Sequence, residues 1–225
     1  WKKKDGGKWR WILYDTDFGY NLWNNDHTHN TLTWALGEQA GTLPVDAPWS
    51  TLLLRRLVLN ETFKKRFIDK FAIQMSSTFE ANRSNAILDS LAAKISKEIV
   101  YHKNKWGSGR DFNTDIATMK GFSFNRQNSM MNFIGARFLN NPGTAEIQIS
   151  SNNPKATYQY NSEIIQDAQI NLKHFKNQTY SLEANAVPGY TFKQWEIKGN
   201  SGSQLLIANG SIWKYSDGNG MPASN

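Results

Sequence analysis

Two aspartates at the end of the first predicted strand are the residues best suited to chemistry. Asp15 and Asp17 follow residues 8–14, whose aromatic and β-branched content over a short run predicts a strand. Alternate residues of a strand project to the same side, so the two Cα atoms would stand about 6.6–6.8 Å apart. Carboxylate oxygens are ligands that Mg²⁺ and Mn²⁺ prefer. The pattern predicts a divalent-cation site, and an acidic turn that caps the next loop is the alternative.

A second pair of candidate ligands lies in the segment that follows. His27 and His29 are two residues apart with Asp26 beside them, and in a strand both rings would face one side. The alternative is a solvated loop with two ordinary histidines. His102 and His174 stand alone in the sequence, and we expect both at the surface.

The elements that must position these residues are helices. Residues 20–48 show little periodicity and predict a long loop, of a kind that is often functional. From Pro48 the apolar residues recur with helical spacing. This spacing predicts one helix capped by Ser50 and a second capped by Asn60, with outward Lys64, Lys65, Asp69 and Lys70; a third helix is predicted over residues 82–102, and one or two over 111–139, interrupted near Gly121.

The last third of the chain has the period of strands. Apolar and polar residues alternate over residues 145–149, 168–172 and 180–184. The tripeptide Pro188-Gly189-Tyr190 predicts a turn into a further strand over residues 191–197. We therefore expect the α+β class, with helices first and a small antiparallel β segment second.

Composition excludes several classes of protein. The 225 residues carry a net charge of +7, too modest and too free of Arg–aromatic patterning to indicate a nucleic-acid partner. The absence of cysteine excludes disulfides, thiolate metal sites and cysteine nucleophiles. No apolar run reaches the length of about 20 residues that spans a bilayer. The first residues do not form a signal peptide, and the start without Met suggests a fragment or a processed product.

Residues 8–20 resemble the metal-binding strand of the CotH kinase family, the spore-coat-type atypical kinases. They read Lys-Trp-Arg-Trp-Ile-Leu-Tyr-Asp-Thr-Asp-Phe-Gly-Tyr, and residues 52–57, 60–68, 71–72, 78–79 and 106–107 are similar to the helices that follow in that family. The resemblance implies a kinase-like fold, with a helical C-terminal lobe, that uses ATP and Mg or Mn to phosphorylate protein hydroxyls. Asp15 and Asp17 match the family's Asp-x-Asp, so one or both would be metal ligands. Asp17 also begins an Asp-Phe-Gly triplet, whose Asp holds the cation in protein kinases.

The chain departs from the family upstream of this strand. The family's nucleotide-binding lobe, its phosphate-holding lysine and its catalytic-loop aspartate all precede the strand, and only residues 1–7 precede it here. Phosphoryl transfer depends on positioning and charge neutralisation. We therefore expect a kinase-like fragment that is inactive by itself, with its catalytic residues unassigned.

The β segment has a resemblance of its own. Residues 180–184 and 188–195 resemble a bacterial Ig-like repeat, in which Tyr190 and Phe192 would cover one face of a small β-sandwich. Residues 210–219 resemble the opening of a carbohydrate-binding-like jelly roll. The implied domains are a kinase-like part (1–140), an Ig-like module (141–203) and a linker with the start of a further domain (204–225).

These resemblances imply a secreted or surface-attached bacterial protein with a protein substrate. The alternative is a non-enzymatic surface or adhesion protein, in which the kinase-like part is a scaffold and the β modules bind surface glycan or protein. The sequence leaves the oligomeric state open.

Overall fold

The computed structural model describes residues 2–3, 6–7, 9–10, 19–22, 26–37, 49–107, 109–185, 187–199 and 202–204. Within these ranges the fold belongs to the α+β class, as predicted. The helices are α1 (Thr31–Ala35), α2 (Leu52–Leu57), α3 (Glu61–Ser76), α4 (Ala81–Ile95), α5 (Glu98–Trp106) and α6 (Phe112–Phe138). The strands are β1 (Lys2–Lys3), β2 (Trp9–Arg10), β3 (Thr144–Ser150), β4 (Thr157–Tyr160), β5 (Glu163–Ile165), β6 (Gln169–Phe175), β7 (Leu182–Asn185), β8 (Ile197–Gly199) and β9 (Gly202–Gln204).

The starts of α2 and α3 test the predicted caps. The Asn60 side chain accepts a hydrogen bond from the Phe63 N–H at 2.9 Å, so this prediction is confirmed. The cap of α2 is predicted wrongly, because Thr51 rather than Ser50 occupies the N-cap position. Thr51 accepts a hydrogen bond from the Arg55 side chain at 3.1 Å and none from the backbone of the first turn.

The later helices end at different points from those predicted. Residues 82–102 form two helices instead of one, because α4 ends at Ile95 and α5 begins at Glu98. At this break the Ser96 hydroxyl donates to the Ala93 carbonyl at 3.0 Å, a local bond that competes with the helical ladder. By contrast, α6 runs unbroken through Gly121, and a glycine inside a helix costs only about 1 kcal/mol relative to alanine.

The described strands between Thr144 and Asn185 form two small antiparallel sheets, and β8 pairs with β9 in a separate two-stranded sheet. Strand β3 pairs with β6 in a seven-residue register from Thr144↔Phe175 to Ser150↔Gln169, and β4 lies between β5 and β7. The strands predicted near residues 145–149, 168–172 and 180–184 are therefore present. The β4–β5 hairpin was not predicted, and it turns at Asn161, whose φ is +52°.

The strand predicted over residues 191–197 is largely absent. The turn predicted at residues 188–190 is present: the Tyr190 N–H donates to the Val187 carbonyl at 2.9 Å, and Gly189 has a φ of +84°. Residues 190–196 then form no strand. Tyr190 and Phe192 are 65% and 48% exposed, so they do not cover a sheet face as the resemblance implied.

Two hydrophobic clusters form the core, and each contains a residue from the other part of the chain. The first cluster joins α1, α3 and α6 and includes Phe175 of β6, which is 1% exposed. The second lies between the two sheets and includes Ile73 of α3, which is 2% exposed. Close packing extends to Gly135, where a Cβ atom would lie 3.3 Å from the Phe175 ring. The helices and strands therefore share their cores.

One face of α3 was predicted wrongly as solvent-exposed. Lys65 and Lys70 are exposed as expected, but Asp69 is buried at 3% exposure. It lies under the β4–β5 hairpin and accepts a hydrogen bond from the Asn161 side chain at 2.9 Å. The helical periodicity of the sequence cannot show that Asp69 is covered, because Asn161, which covers it, lies 92 positions further along the chain.

Candidate functional site

The predicted metal ligands lie at a part of the chain that the structure does not describe. Asp15 and Asp17 fall between β2, which ends at Arg10, and the described segment that begins at Gly19. Their assignment stays a prediction. The described residues that follow them directly show how this end of the chain joins the helices.

Residues 19–22 form a tight turn held against α6. The Leu22 N–H donates to the Gly19 carbonyl at 3.2 Å, and Tyr20 and Asn21 both have positive φ, of +56° and +70°. Non-glycine residues adopt this backbone only when their surroundings enforce it. The Tyr20 ring lies 5.5 Å from the Phe122 ring, centroid to centroid. The turn is therefore fixed to the middle of α6, three residues after Asp17.

Asp26 closes a second turn through one oxygen of its carboxylate. Its Oδ1 accepts hydrogen bonds from the Thr28 N–H at 2.7 Å and from the Thr28 hydroxyl at 2.5 Å. The bonds from the hydroxyl and then from the backbone lower the pKa of Asp26 below its usual range. The carboxylate thus stabilises the loop as an anion.

His27 and His29 lie in this turn and not in a strand. His27 Nδ1 is hydrogen-bonded to Ser129 Oγ of α6 at 2.9 Å, whereas His29 begins the entry to α1. Among the residues that the structure describes, no three His, Asp or Glu side chains are grouped so that they could hold a metal ion. The described geometry gives the His27 side chain a contact with α6, whereas His29 is exposed.

Arg126 of α6 organises this loop, and the sequence analysis missed it. Its Nη1 donates to the His27 and His29 carbonyls, both at 2.7 Å, and its Nη2 donates to the Thr31 hydroxyl at 3.2 Å. Its guanidinium lies 5.5 Å from the Phe122 ring centroid. Burial lowers the pKa of Arg126, and the negative charge of Asp26 opposes that shift. No local sequence signal could have identified it, because its partners lie more than 90 residues away.

A polar cleft of about 450 Å³ lies between the α3–α4 junction, α6 and the β3–β6 pair. Glu80, Arg83, Glu146 and Asp167 line it. Glu80 already caps α4, since its Oε2 accepts from the Arg83 N–H at 2.8 Å. Three carboxylates against one arginine make a poor environment for nucleotide phosphates. The cleft does not supply a phosphate site.

His174 was predicted at the surface, and this prediction is wrong. It is partly buried on β6, and its Nδ1 is buried without a hydrogen-bond partner among the described residues. The His174 ring packs edge-to-face against the Tyr180 ring, with 5.0 Å between the centroids and 90° between the planes. Burial lowers the pKa of His174.

None of the described helices combines the length and apolar character that crossing a membrane requires. Compared with known families, the chain matches the model of the CotH kinase protein family over residues 1–130. Comparison with curated proteins and with solved structures finds no match. The family match ends before the β segment, whose likeness to an Ig-like repeat stays a prediction.

Proposed function

The chain belongs to the CotH kinase family, and from that premise we propose that it takes part in ATP-dependent phosphoryl transfer to protein hydroxyl groups. The observation that carries this proposal is the match over residues 1–130, which includes Asp15, Asp17 and the helices from α1 to α5. The same match does not favour the alternative of a purely adhesive surface protein.

In this proposal Asp15 and Asp17 hold a divalent cation, Mg²⁺ or Mn²⁺. Two carboxylates are a suitable donor set for either ion, because hard cations prefer oxygen ligands. A bound cation would neutralise the charge of the nucleotide phosphates. The described residues support the proposal by anchoring the segment behind the ligands: Tyr20 contacts Phe122, and Arg126 binds the loop at residues 27–31.

The domain assignment is part of the same proposal. By resemblance, residues 1–140 would correspond to the helical lobe of a kinase-like domain, residues 141–203 to an Ig-like β module packed on that lobe, and residues 204–225 to a linker with the start of a further domain. We also propose a secreted or surface location in a bacterium, which rests on the resemblance of the β segment to surface repeats. Labelling of intact cells by an antibody against this chain tests the location.

Cation binding tests the proposed ligands directly. Mn²⁺ titration should raise the thermal midpoint of the wild-type chain, because an ion that binds only the folded state stabilises it. Asp15→Asn and Asp17→Asn should reduce or abolish the rise. Asp26→Asn is the matched control, since Asp26 is bound to Thr28, and it should keep the rise. An equal response in all four proteins would exclude Asp15 and Asp17 as ligands.

A phosphotransfer assay tests the activity. We expect the 225-residue chain alone to transfer no label from γ-labelled ATP, because the resemblance assigns only Asp15 and Asp17 a part in the reaction. Turnover that Asp15→Ala abolishes would show that the chain is sufficient. That result would contradict the expectation that the chain is inactive by itself.

A further inference from the structure

One face of α3, which we call the α3 docking face, carries Lys65, Arg66, Asp69 and Lys70. All four meet the β segment or residues bound to it. Arg66 Nε lies 3.0 Å and Lys70 Nζ 3.5 Å from the two carboxylate oxygens of Glu163 on β5. The Lys65 ammonium lies 5.9 Å from the Tyr180 ring centroid and 3.4 Å from Asp69 Oδ2.

The anions of this interface are buried, so their partners matter. The side chains of Asp69 and Glu163 are 4% and 11% exposed, whereas the cations opposite them reach solvent. Exposed ion pairs contribute little to stability, but a buried carboxylate that loses its partners is strongly unfavourable. Removal of the cations while α3 and the β segment stay packed would therefore leave Asp69 or Glu163 as a buried, unpaired carboxylate.

The β4–β5 turn is shaped to reach α3. Asn161 has a φ of +52°, a backbone that asparagine tolerates better than most residues. Its Nδ2 donates to Asp69 at 2.9 Å, and its Oδ1 accepts from the Ser181 N–H at 2.9 Å. The Asn161 side chain thus links α3 to the β4–β5 turn and to the residue that precedes β7.

Apolar packing continues the contact along α3. Ile73 lies one turn beyond Asp69 and is buried among residues of the two sheets. Conversely, Phe175 of β6 is buried in the helical cluster, together with Leu32 and Leu36. These two leucines belong to α1 and its C-terminal end, directly after the loop that Arg126 binds. A further bond runs from the Lys173 N–H to Ser76 Oγ at 2.9 Å. Separation would expose apolar surface on both sides.

We propose that residues 144–185 and the residues of the family match form one obligatory folding unit. The β segment is docked on the α3 docking face, and the cooperative domain therefore extends to Asn185. The β segment then supports α1 and the loop before it, and is not an independently folded spacer. This inference holds whether or not Asp15 and Asp17 bind a cation.

Hydrogen exchange of the full chain, followed by mass spectrometry, tests the proposal. The key variant is Ile165→Val, which removes one methylene from a fully buried position of the second cluster. In one cooperative unit, exchange of the slowest amides in α6 and in β4 should accelerate by the same factor, about two- to tenfold. Lys64→Gln is the control, because its ion pair with the exposed Glu61 involves α3 alone, and it should change neither.

A second variant addresses the docking face itself. Glu163→Gln removes the anion that Arg66 and Lys70 share and should accelerate exchange in α3 and β4 by the same factor, about two- to tenfold. Acceleration confined to the β strands in both variants, with α6 unchanged, would show two independent units. That outcome would overturn the inference, while the cation titration above would be unaffected by it.

Discussion

Single residues decide how the loop before α1 is held. Arg126 contributes three hydrogen bonds to backbone and hydroxyl groups at residues 27–31 from a partly buried position. Arginine suits this role, because two nitrogens of its planar guanidinium donate at once, Nη1 to the two carbonyls and Nη2 to the Thr31 hydroxyl, an arrangement that the single nitrogen of a lysine ammonium does not offer.

We expect Arg126→Gln to destabilise the fold by about 1–3 kcal/mol and to accelerate exchange at the amides of residues 27–31, because it leaves carbonyl groups without donors. Urea unfolding and hydrogen exchange measure the two effects. Lys120→Gln is the control on the same helix. It removes an ion pair with the exposed Asp89 and should cost no more than about 1 kcal/mol. Equal effects of the two variants would contradict the role given to Arg126.

His174 should make stability depend on pH. Burial lowers its pKa in the folded state, so the unfolded chain binds the proton first as pH falls. The contribution of the neutral ring is fully present above its ordinary pKa of 6.5 and is lost as pH falls through the lower folded value. The backbone of Phe175 opposes this shift, and burial outweighs it.

The measurement is the urea midpoint between pH 8 and pH 5, for wild type and for His174→Gln. The decrease towards low pH should be smaller in the variant. His102→Gln, at an exposed position of α5, should keep the wild-type pH dependence. If the urea midpoint of His174→Gln falls as much towards low pH as that of the wild type, groups other than His174 cause the pH dependence.

At the scale of elements, the two glycines of α6 have opposite surroundings. A Cβ atom at Gly121 would meet nothing within 4 Å, whereas one at Gly135 would lie 3.3 Å from the Phe175 ring. Gly121 therefore carries only the entropic cost of glycine in a helix, and Gly135 permits close packing of α6 on β6.

We expect Gly121→Ala to stabilise the chain by about 0.5–1 kcal/mol, because the folded backbone is already helical and the unfolded chain loses freedom. Gly135→Ala should instead destabilise it by about 1–3 kcal/mol, since the added methyl crowds a fully buried ring. Thermal unfolding of the matched pair measures both. Stabilisation by both substitutions would show that Phe175 can shift without cost.

At the scale of the whole molecule, Phe175 links the strands to the helices. It belongs to β6 but is buried in the cluster that α1, α3 and α6 form. We expect Phe175→Ala to destabilise the chain by about 3–5 kcal/mol and to lower the helical circular-dichroism midpoint, although the substitution lies in a strand. Ile147→Ala, at a position 38% exposed on β3, is the control and should cost much less. A helical midpoint unchanged by Phe175→Ala would contradict the shared core.

The sequence by itself determined the α+β class and the order of its two parts, helices first and strands second. Local signals sufficed where the cause is local: the Asn60 cap, the helical period of α3, the turn at Gly189 and the alternation of β3 and β6. The two aspartates at the end of the predicted first strand, and the helices predicted after them, also indicated the family. The match over residues 1–130 confirms it.

Only the tertiary structure decided which faces are covered. The burial of Asp69, the loop contacts of Arg126 and the partly buried state of His174 all depend on partners distant in the chain or on packing between elements. Period and propensity describe how one element repeats, and they carry no information about which other element packs on it. For that reason the face of α3 that looks solvated in the sequence is, in the folded chain, the place where the strands attach.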